Sequence, residues 1–514
     1  MSDTFDLVIV GSGPIGATFA RALTERRPHS RILMVEAGPQ LTPRPGLHVK
    51  NLADEDSRAK ARAASQGPAN QDEGVHKLVL GVEGRPMARA GTHLANPGAV
   101  DGMPAAALST CVGGMGAHWT CACPRPGDSE RIAFIPPAEL DAALDEAERL
   151  LSVTTTAFAD SLQGRAIQKG LGAAFNDRLS EGRKIQIMPL ACRPNDAGGL
   201  DWSGADTVLG PLLDPSSPLS QNFELRSRTL ALRVDHTDGQ ASGVVLKDLN
   251  TDATYTVAAK IVVVAADALR TPQLLWASDI RPQALGRYLN DQPQVLAAVT
   301  LSEEMMGRKG DAAFGKEARR SDIDPTTAVF WAPFADPEHP FHGQVMHLDV
   351  SPIGIHADVD PEHSPGIVAL GWFCRKAEIR AQDRIVFSET EHDGFGLPAM
   401  TIDYELTPID LAEIERAKAE QLYAASALGT LLPGDSSRLL PAGSSLHYQG
   451  ATRMGEADDG TSVCDDRSRV WGFDNLYVGG NGVIPTGTAC NPTLTSVALA
   501  IRATDEIARK LDQG

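Results

Sequence analysis

The sequence predicts an α/β protein in which one nucleotide-binding domain is assembled from separate pieces of chain and a second domain is inserted between them. Three observations carry this. Phe5–Val10 is an apolar strand pattern that runs into Gly11-Ser12-Gly13-Pro14-Ile15-Gly16 and then into an Ala-rich helix. Ile261–Ala265 is an apolar run of the kind found in strands covered on both faces. Leu476–Gly482 repeats the strand-then-glycine theme near the other end, with His447 before it and Asn491-Pro492-Thr493 after it.

The elements follow in order. Residues 5–36 read as a βαβ unit: strand Leu7–Val10, helix Pro14–Arg26, then strand Ile32–Val35 ending at Glu36-Ala37. Gly11 permits the tight turn, Gly13 lets a pyrophosphate approach the backbone, and Gly16 lets the helix pack closely on the strand. The helix N-terminus supplies amide donors for phosphate. Glu36, 20 residues after Gly16, stands where a carboxylate accepts hydrogen bonds from a ribose. This motif alone does not separate FAD from NAD. Residues 39–105 read as a long Pro-, Gly- and charge-rich excursion carrying a short helix, Ala53–Ala64. Pro137–Leu151 is helical, with Leu140, Ala143, Leu144, Ala147 and Leu150 on one face. Phe223–Val264 alternates and turns at Asp238-Gly239 and Leu249-Asn250, as a small β-meander does. Pro and His cluster around 325–365, Asp410–Gly429 is a helix, and Thr493–Leu511 is the last one.

Composition narrows the function classes. A chain of 514 residues with 42% hydrophobic and 22% charged residues can bury a full core and hold two domains. Its net charge of −19 argues against nucleic acid and anionic membrane surfaces as partners. No apolar run reaches the roughly 20 residues of a membrane span, and no secretory signal is read at the N-terminus. Seven irregularly spaced cysteines do not suggest a disulfide framework. A cytoplasmic, reduced enzyme is expected.

Thr110–Cys123 combines a glycine cluster, Gly113-Gly114-Met115-Gly116, with a His118-Trp119 pair. The glycines would let backbone lie against a flat ring. On that reading His118 could bond covalently to a flavin methyl carbon or hydrogen-bond nearby, and the Thr120 hydroxyl could meet the flavin N5; the spacing alone equally fits a glycine loop with an aromatic plug. Cys121-x-Cys123 is too close for the usual zinc hook with a gap of about two to four residues. His339, His342, His347, His356 and His363 fall within 25 residues. A helical His-x-x-His would chelate, but Pro340 and the alternating pattern speak against a helix, and no Cys or Glu completes a tetrahedral set. No metal is expected.

Taken together, these segments resemble the glucose–methanol–choline (GMC) oxidoreductase superfamily, and within it the pyranose oxidases of the pyranose 2-oxidase and glycoside 3-oxidase type. The resemblance rests on Gly11–Gly16 with Glu36, Gly113–Pro124, Ala265–Leu275, Leu446-His447 with Thr452–Gly455, and Asn475–Ala500. It implies a Rossmann-like FAD-binding domain of the GMC and p-hydroxybenzoate hydroxylase-like kind at 1–155, 221–300 and 439–514. An α+β substrate-binding domain with a large β-sheet would occupy 156–220 and 301–438. It also implies oxidation of a pyranose or glycoside at the C2 or C3 hydroxyl, with oxygen reduced to hydrogen peroxide or, alternatively, a quinone as acceptor.

The site residues implied by the resemblance are these. His447 is the base that takes the hydroxyl proton, a task suited to neutral imidazole, and Asn491 is its hydrogen-bonding partner. The cofactor would touch Gly11–Gly16, Glu36, Ala37, Gly113, Gly114, Met115, His118, Trp119, Thr120, Cys121, Ala265, Gly480, Asn481, Asn491 and Thr493. His118 matches the family's covalent flavin link, although Gly116-Ala117 stands where the fungal members carry Ser-Thr. Gln344, Asp349 and Arg375 match sugar-contacting strands, with the gap from Gln344 to Asp349 one residue longer than the fungal pattern. The chain is shorter than those members, which points to a monomer or small homo-oligomer and an open site suited to bulky glycosides.

Overall fold

The structure, a computed structural model, describes residues 4–66, 102–159, 161–196, 199–302, 326–348, 367–432 and 435–513, together with Met305. The apolar N-terminal run forms strand Thr4–Val10 inside a seven-stranded sheet. Its order is Phe223–Arg226, Ile32–Val35, Thr4–Val10, Thr254–Val264, Gln240–Asp248 and Thr229–Thr237, with Leu476–Val478 also pairing with Thr254–Val264. The nucleotide-binding strands are parallel and the meander is antiparallel. Val10 is in register with Val35 and Val264, and Val264 with Val478. The carboxyl ends of four parallel strands therefore stop in one row, and Gly11, Glu36, Ala265 and Gly479 follow immediately. That row is where an open parallel sheet binds ligands.

Local chemistry sets the helix boundaries. Gly13 is the extended residue before helix Pro14–Arg26, and Pro14, with no N–H to lose, opens it. Gly11 has φ +105, and a Cβ on Gly16 would stand 2.0 Å from the Gly11 carbonyl oxygen. Gly16→Ala is therefore expected to force the helix off the turn at a cost of about 3 kcal/mol, read as a lower thermal midpoint together with lost cofactor retention. Helix Pro137–Leu151 ends where Ser152 turns left-handed. The short helix expected at Ala53–Ala64 runs Glu55–Gln66, because the Asp54 carboxylate accepts from Ser57 N at 2.7 Å and caps it. Residues 67–101 of the expected excursion lie outside the described residues. Helices Pro14–Arg26, Pro137–Leu151 and Thr493–Gln513 bury Phe19, Leu144 and Val497 in the core of this sheet.

The second sheet is antiparallel, in the order Gly429–Leu431, Gln294–Leu301, Ile367–Cys374, Phe341–Leu348, Thr326–Ala332 and Gln186–Ile187. Helices Leu162–Phe175 and Pro408–Leu428 cover one face. The latter starts at a Thr407–Asp410 capping box and stops at Gly429. Side chains alternate across the sheet. Phe341, Val345 and Trp372 meet the helices, whereas Val329 and Trp331 point back into the core of the first sheet. His342 and Gln344 lie on that second face by the same alternation. Strand Gln294–Leu301 belongs to the second sheet, so the boundary expected at residue 300 falls within that strand. Trp202–Leu212 packs in the first core instead of the second. Among the described residues no helix is long and apolar enough to cross a membrane.

Candidate active site

The strand ends and the glycine turn build the first wall of a cavity of about 410 Å³. Glu36 Oε2 accepts from Ser12 N at 3.2 Å and Ser12 Oγ at 2.7 Å, and Oε1 accepts from Gly38 N at 2.9 Å. Ser12 Oγ in turn accepts from Gly113 N at 3.0 Å. One serine thus fastens the glycine turn, the second strand and the Gly113 segment together. Burial pushes the Glu36 carboxyl up against these donors, which hold it down. The helix behind the turn has no acidic residue in its first turn, so its positive end faces the cavity uncompensated. A glycine cradle at a helix N-terminus fits a pyrophosphate.

The same cavity is lined by His447 and Asn491. Leu446, at φ +60, turns the chain so that His447 faces inward, the kind of strained backbone that recurs at functional sites. His447 Nδ1 lies 2.7 Å from Gln292 Oε1. Gln292 Nε2 donates to Thr488 Oγ1 at 3.1 Å and to the Cys490 carbonyl at 2.8 Å, which fixes its amide. Nδ1 therefore carries the imidazole proton and Nε2 keeps its lone pair. Asn491 Nδ2 stands 3.3 Å from that Nε2. Burial lowers the His447 pKa to about 4, so the ring is neutral at pH 7. Phe373 packs over it with ring centroids 5.7 Å apart.

Two buried carboxylates hold the loops that carry this pair. Asp291 accepts from Gly443 N at 2.7 Å and from the Ser445 hydroxyl, and Ser445 Oγ accepts from His447 N at 3.1 Å. Glu130 Oε1 accepts from Ala489 N at 2.8 Å and Cys490 N at 2.9 Å, and its Oε2 accepts from Gly127 N at 3.0 Å. A neutral base beside a carboxamide donor, in a cavity that also holds a dinucleotide cradle, is equipped to take a proton from an alcohol while a bound redox group accepts the hydride.

The GMC oxidoreductase family models match residues 128–294 and 384–500. Over 98% of the chain and 97% of the relative's length, the sequence is 49% identical to a C-glycoside 3-oxidase of Microbacterium trichothecenolyticum. The chain belongs to the GMC oxidoreductases. A pyranose 2-oxidase of Tricholoma matsutake is further away, at 32% identity over 98% of this chain and 93% of its own. The fold also matches the crystal structure of pyridoxine 4-oxidase from Mesorbium loti, with TM-score 0.62, 18% identity and 99% of both chains covered.

In this GMC oxidoreductase most of the expected cofactor residues meet at the one cavity: Gly11, Ser12, Gly13, Pro14, Ile15, Glu36, Ala37, Gly114, Met115, His118, Trp119, Thr120, Ala265, Gly480, Asn481 and Thr493. Three stand behind it. Gly16 packs the helix on the turn, Gly113 donates to Ser12, and Cys121 is buried with its thiol toward the Ser203 carbonyl. His118 Nε2 lies 3.1 Å from Ser109 Oγ, and Trp119 Nε1 donates to the Ser203 carbonyl at 2.7 Å.

Gln344 is buried on the sheet face shared with His342, its amide near the Met346 sulfur. Arg375 is brought to Asp336 and Ser129 and does not line the cavity. Asp349 lies outside the described residues, as do His356 and His363 of the histidine cluster. The other histidines are separately engaged: His339 Nδ1 meets Glu420 at 2.6 Å, and His342 Nδ1 accepts from Trp331. Among the described residues no group of three His, Cys, Asp or Glu is arranged to hold a metal. Gln292, Glu130, Asp291 and Ser109 belong to the site and were not read from the sequence.

Proposed function

We propose that the protein is an FAD-dependent oxidase of glycosides that converts the C3 hydroxyl to a ketone, with oxygen as the electron acceptor. The observation that carries this reading is the His447 Nε2 and Asn491 Nδ2 pair, 3.3 Å apart, in the cavity lined by the dinucleotide turn. The similarity over 98% of the chain to a C-glycoside 3-oxidase supports the choice of C3 and of a glycoside. FAD would be held by the Gly11–Gly16 turn and Glu36, with Gly114, His118 and Thr120 opposite. When bound, it supplies the hydride acceptor.

The protein's own groups do the rest. Asn491 Nδ2 donates to the alcohol oxygen and fixes the orientation of its C–H bond. His447 Nε2 accepts the hydroxyl proton, and Gln292 Oε1 at the far nitrogen stabilises the imidazolium that forms. Phe373 packs against the His447 ring. Gln344 is proposed as a contact for the sugar's other hydroxyls. Asp349 and Arg375 remain further candidates, and Arg375 would have to leave Asp336 to serve. The seven cysteines are all unpaired and buried, which supports a reducing, cytoplasmic setting.

The test is spectroscopic. Purified protein should be yellow, bleach anaerobically with a C- or O-glycoside, recolour in air, and yield a C3 ketone by NMR. A colourless preparation that refuses FAD, or a flavin that no sugar bleaches, overturns the reading. Faster reoxidation by benzoquinone than by oxygen would make it a dehydrogenase, and colour retained in the acid-precipitated protein but lost in H118A would show a covalent link at His118. A pH profile adds an independent check. Because the base works unprotonated, kcat/KM should hold as pH falls below 6.5 and be lost only near pH 4.

A further inference from the structure

His342 links the second sheet to the reacting pair. Strand Phe341–Leu348 pairs with Ile367–Cys374 so that His342 lies opposite Phe373. The Phe373 ring stands between two imidazoles, 5.5 Å from His342 and 5.7 Å from His447 by ring centroids. His342 is fully buried. Burial, reinforced by His447, His339 and Arg183 nearby, lowers its pKa to about 3, so it is neutral under all working conditions. A neutral imidazole carries one N–H, and its location is decided by Trp331. The indole N–H can only donate, and it stands 2.9 Å from His342 Nδ1. Nδ1 is therefore the acceptor and Nε2 carries the hydrogen.

That Nε2 is buried and makes no hydrogen bond among the described residues, and Asn491 is the polar side chain whose hydrogen-bonding influence reaches His342. Asn491 Oδ1 is likewise buried and otherwise unmet. A buried donor and a buried acceptor left unpaired are both costly, and here each is the remedy for the other. A carboxamide is nearly symmetric in shape, so packing alone does not decide which end faces the substrate. The opposite orientation would present Oδ1 to the His447 lone pair and to the alcohol oxygen, setting acceptor against acceptor.

We infer that His342 is a positioning residue: its Nε2–H donates to Asn491 Oδ1 and so turns the Asn491 amide N–H groups toward His447 Nε2 and the substrate oxygen. The inference rests on the reading of Asn491 as donor to the alcohol. It makes Trp331 the first link of a relay that runs Trp331 to His342 to Asn491, from the inserted sheet to the reacting atoms.

The test compares H342L, which has no donor, with H342Q, whose side-chain amide places a donor where Nε2 stood. H342L should slow anaerobic flavin reduction by about 10²-fold with KM for the glycoside and the flavin spectrum unchanged, and H342Q should restore most of the rate. In an N491A background, H342L should cost nothing further. Heteronuclear NMR of labelled histidines in the holoenzyme should show the Nε2–H tautomer at His342, and W331F should mix the tautomers. Additive losses with N491A, no rescue by H342Q, or an Nδ1–H tautomer in the parent protein would each overturn the inference. If no glycoside reduces the flavin, the functional reading fails while the tautomer measurement still decides whether His342 is a donor.

Discussion

His447→Ala is expected to lower the rate of flavin reduction by a saturating glycoside by about 10²–10⁴-fold, with FAD binding and thermal stability close to those of the parent protein. The size of the loss follows from what is removed. Nε2 is the lone pair at which the hydroxyl proton can be received beside Asn491 Nδ2, and Gln292 holds the tautomer that exposes it. Stability should change little, because the loop is held mainly by Asp291 through Gly443 N and Ser445, not by the ring. Stopped-flow absorbance under anaerobic conditions separates reduction from reoxidation. A variant reduced as fast as the parent would remove His447 from the chemistry.

Glu130→Ala carries the largest expected structural penalty. Its carboxylate gathers three backbone N–H groups, from Gly127, Ala489 and Cys490, and is 1% exposed. Truncation leaves three buried donors unmet, at about 3–6 kcal/mol in total. The amide of E130Q is no remedy, because whichever end its NH2 occupies faces a backbone N–H. Both variants should melt earlier in a thermal scan, and both should lose reduction rate more than FAD affinity, since the Ala489–Cys490 turn presents Asn491. A Glu130→Ala protein as stable as the parent would show that water or a neighbouring group meets those donors.

The sequence was informative wherever a residue type is demanded by backbone geometry or by burial pattern. The turn Gly11–Gly16, the strands Ile32–Val35 and Ile261–Val264, and the helix Pro137–Leu151 are legible for that reason. His447 and Asn491 became legible through their flanks, since a lone histidine has no pattern. The clamps were not legible. Asn290-Asp291-Gln292 is a run of polar side chains with no periodic pattern, yet all three are buried just before the strand starting at Gln294. Asp128-Ser129-Glu130 is likewise polar and without periodicity, and Glu130 points inward to a segment some 360 residues away. Polar residues that serve distant backbone leave no local periodicity. His342 could be placed only once pairing with Ile367–Cys374 set which side of the strand it occupies.

The pairing of Val262–Val264 with Leu7–Val10 on one side and with Leu476–Val478 on the other has a consequence for biogenesis. A ribosome must deliver every residue up to Leu476–Val478 before the strand that completes this sheet exists. Contacts between such remote stretches form slowly. Nascent protein should accordingly pass through a long-lived species that has its inserted sheet but cannot yet retain a nucleotide, and flavin supply during synthesis should govern the yield of native enzyme.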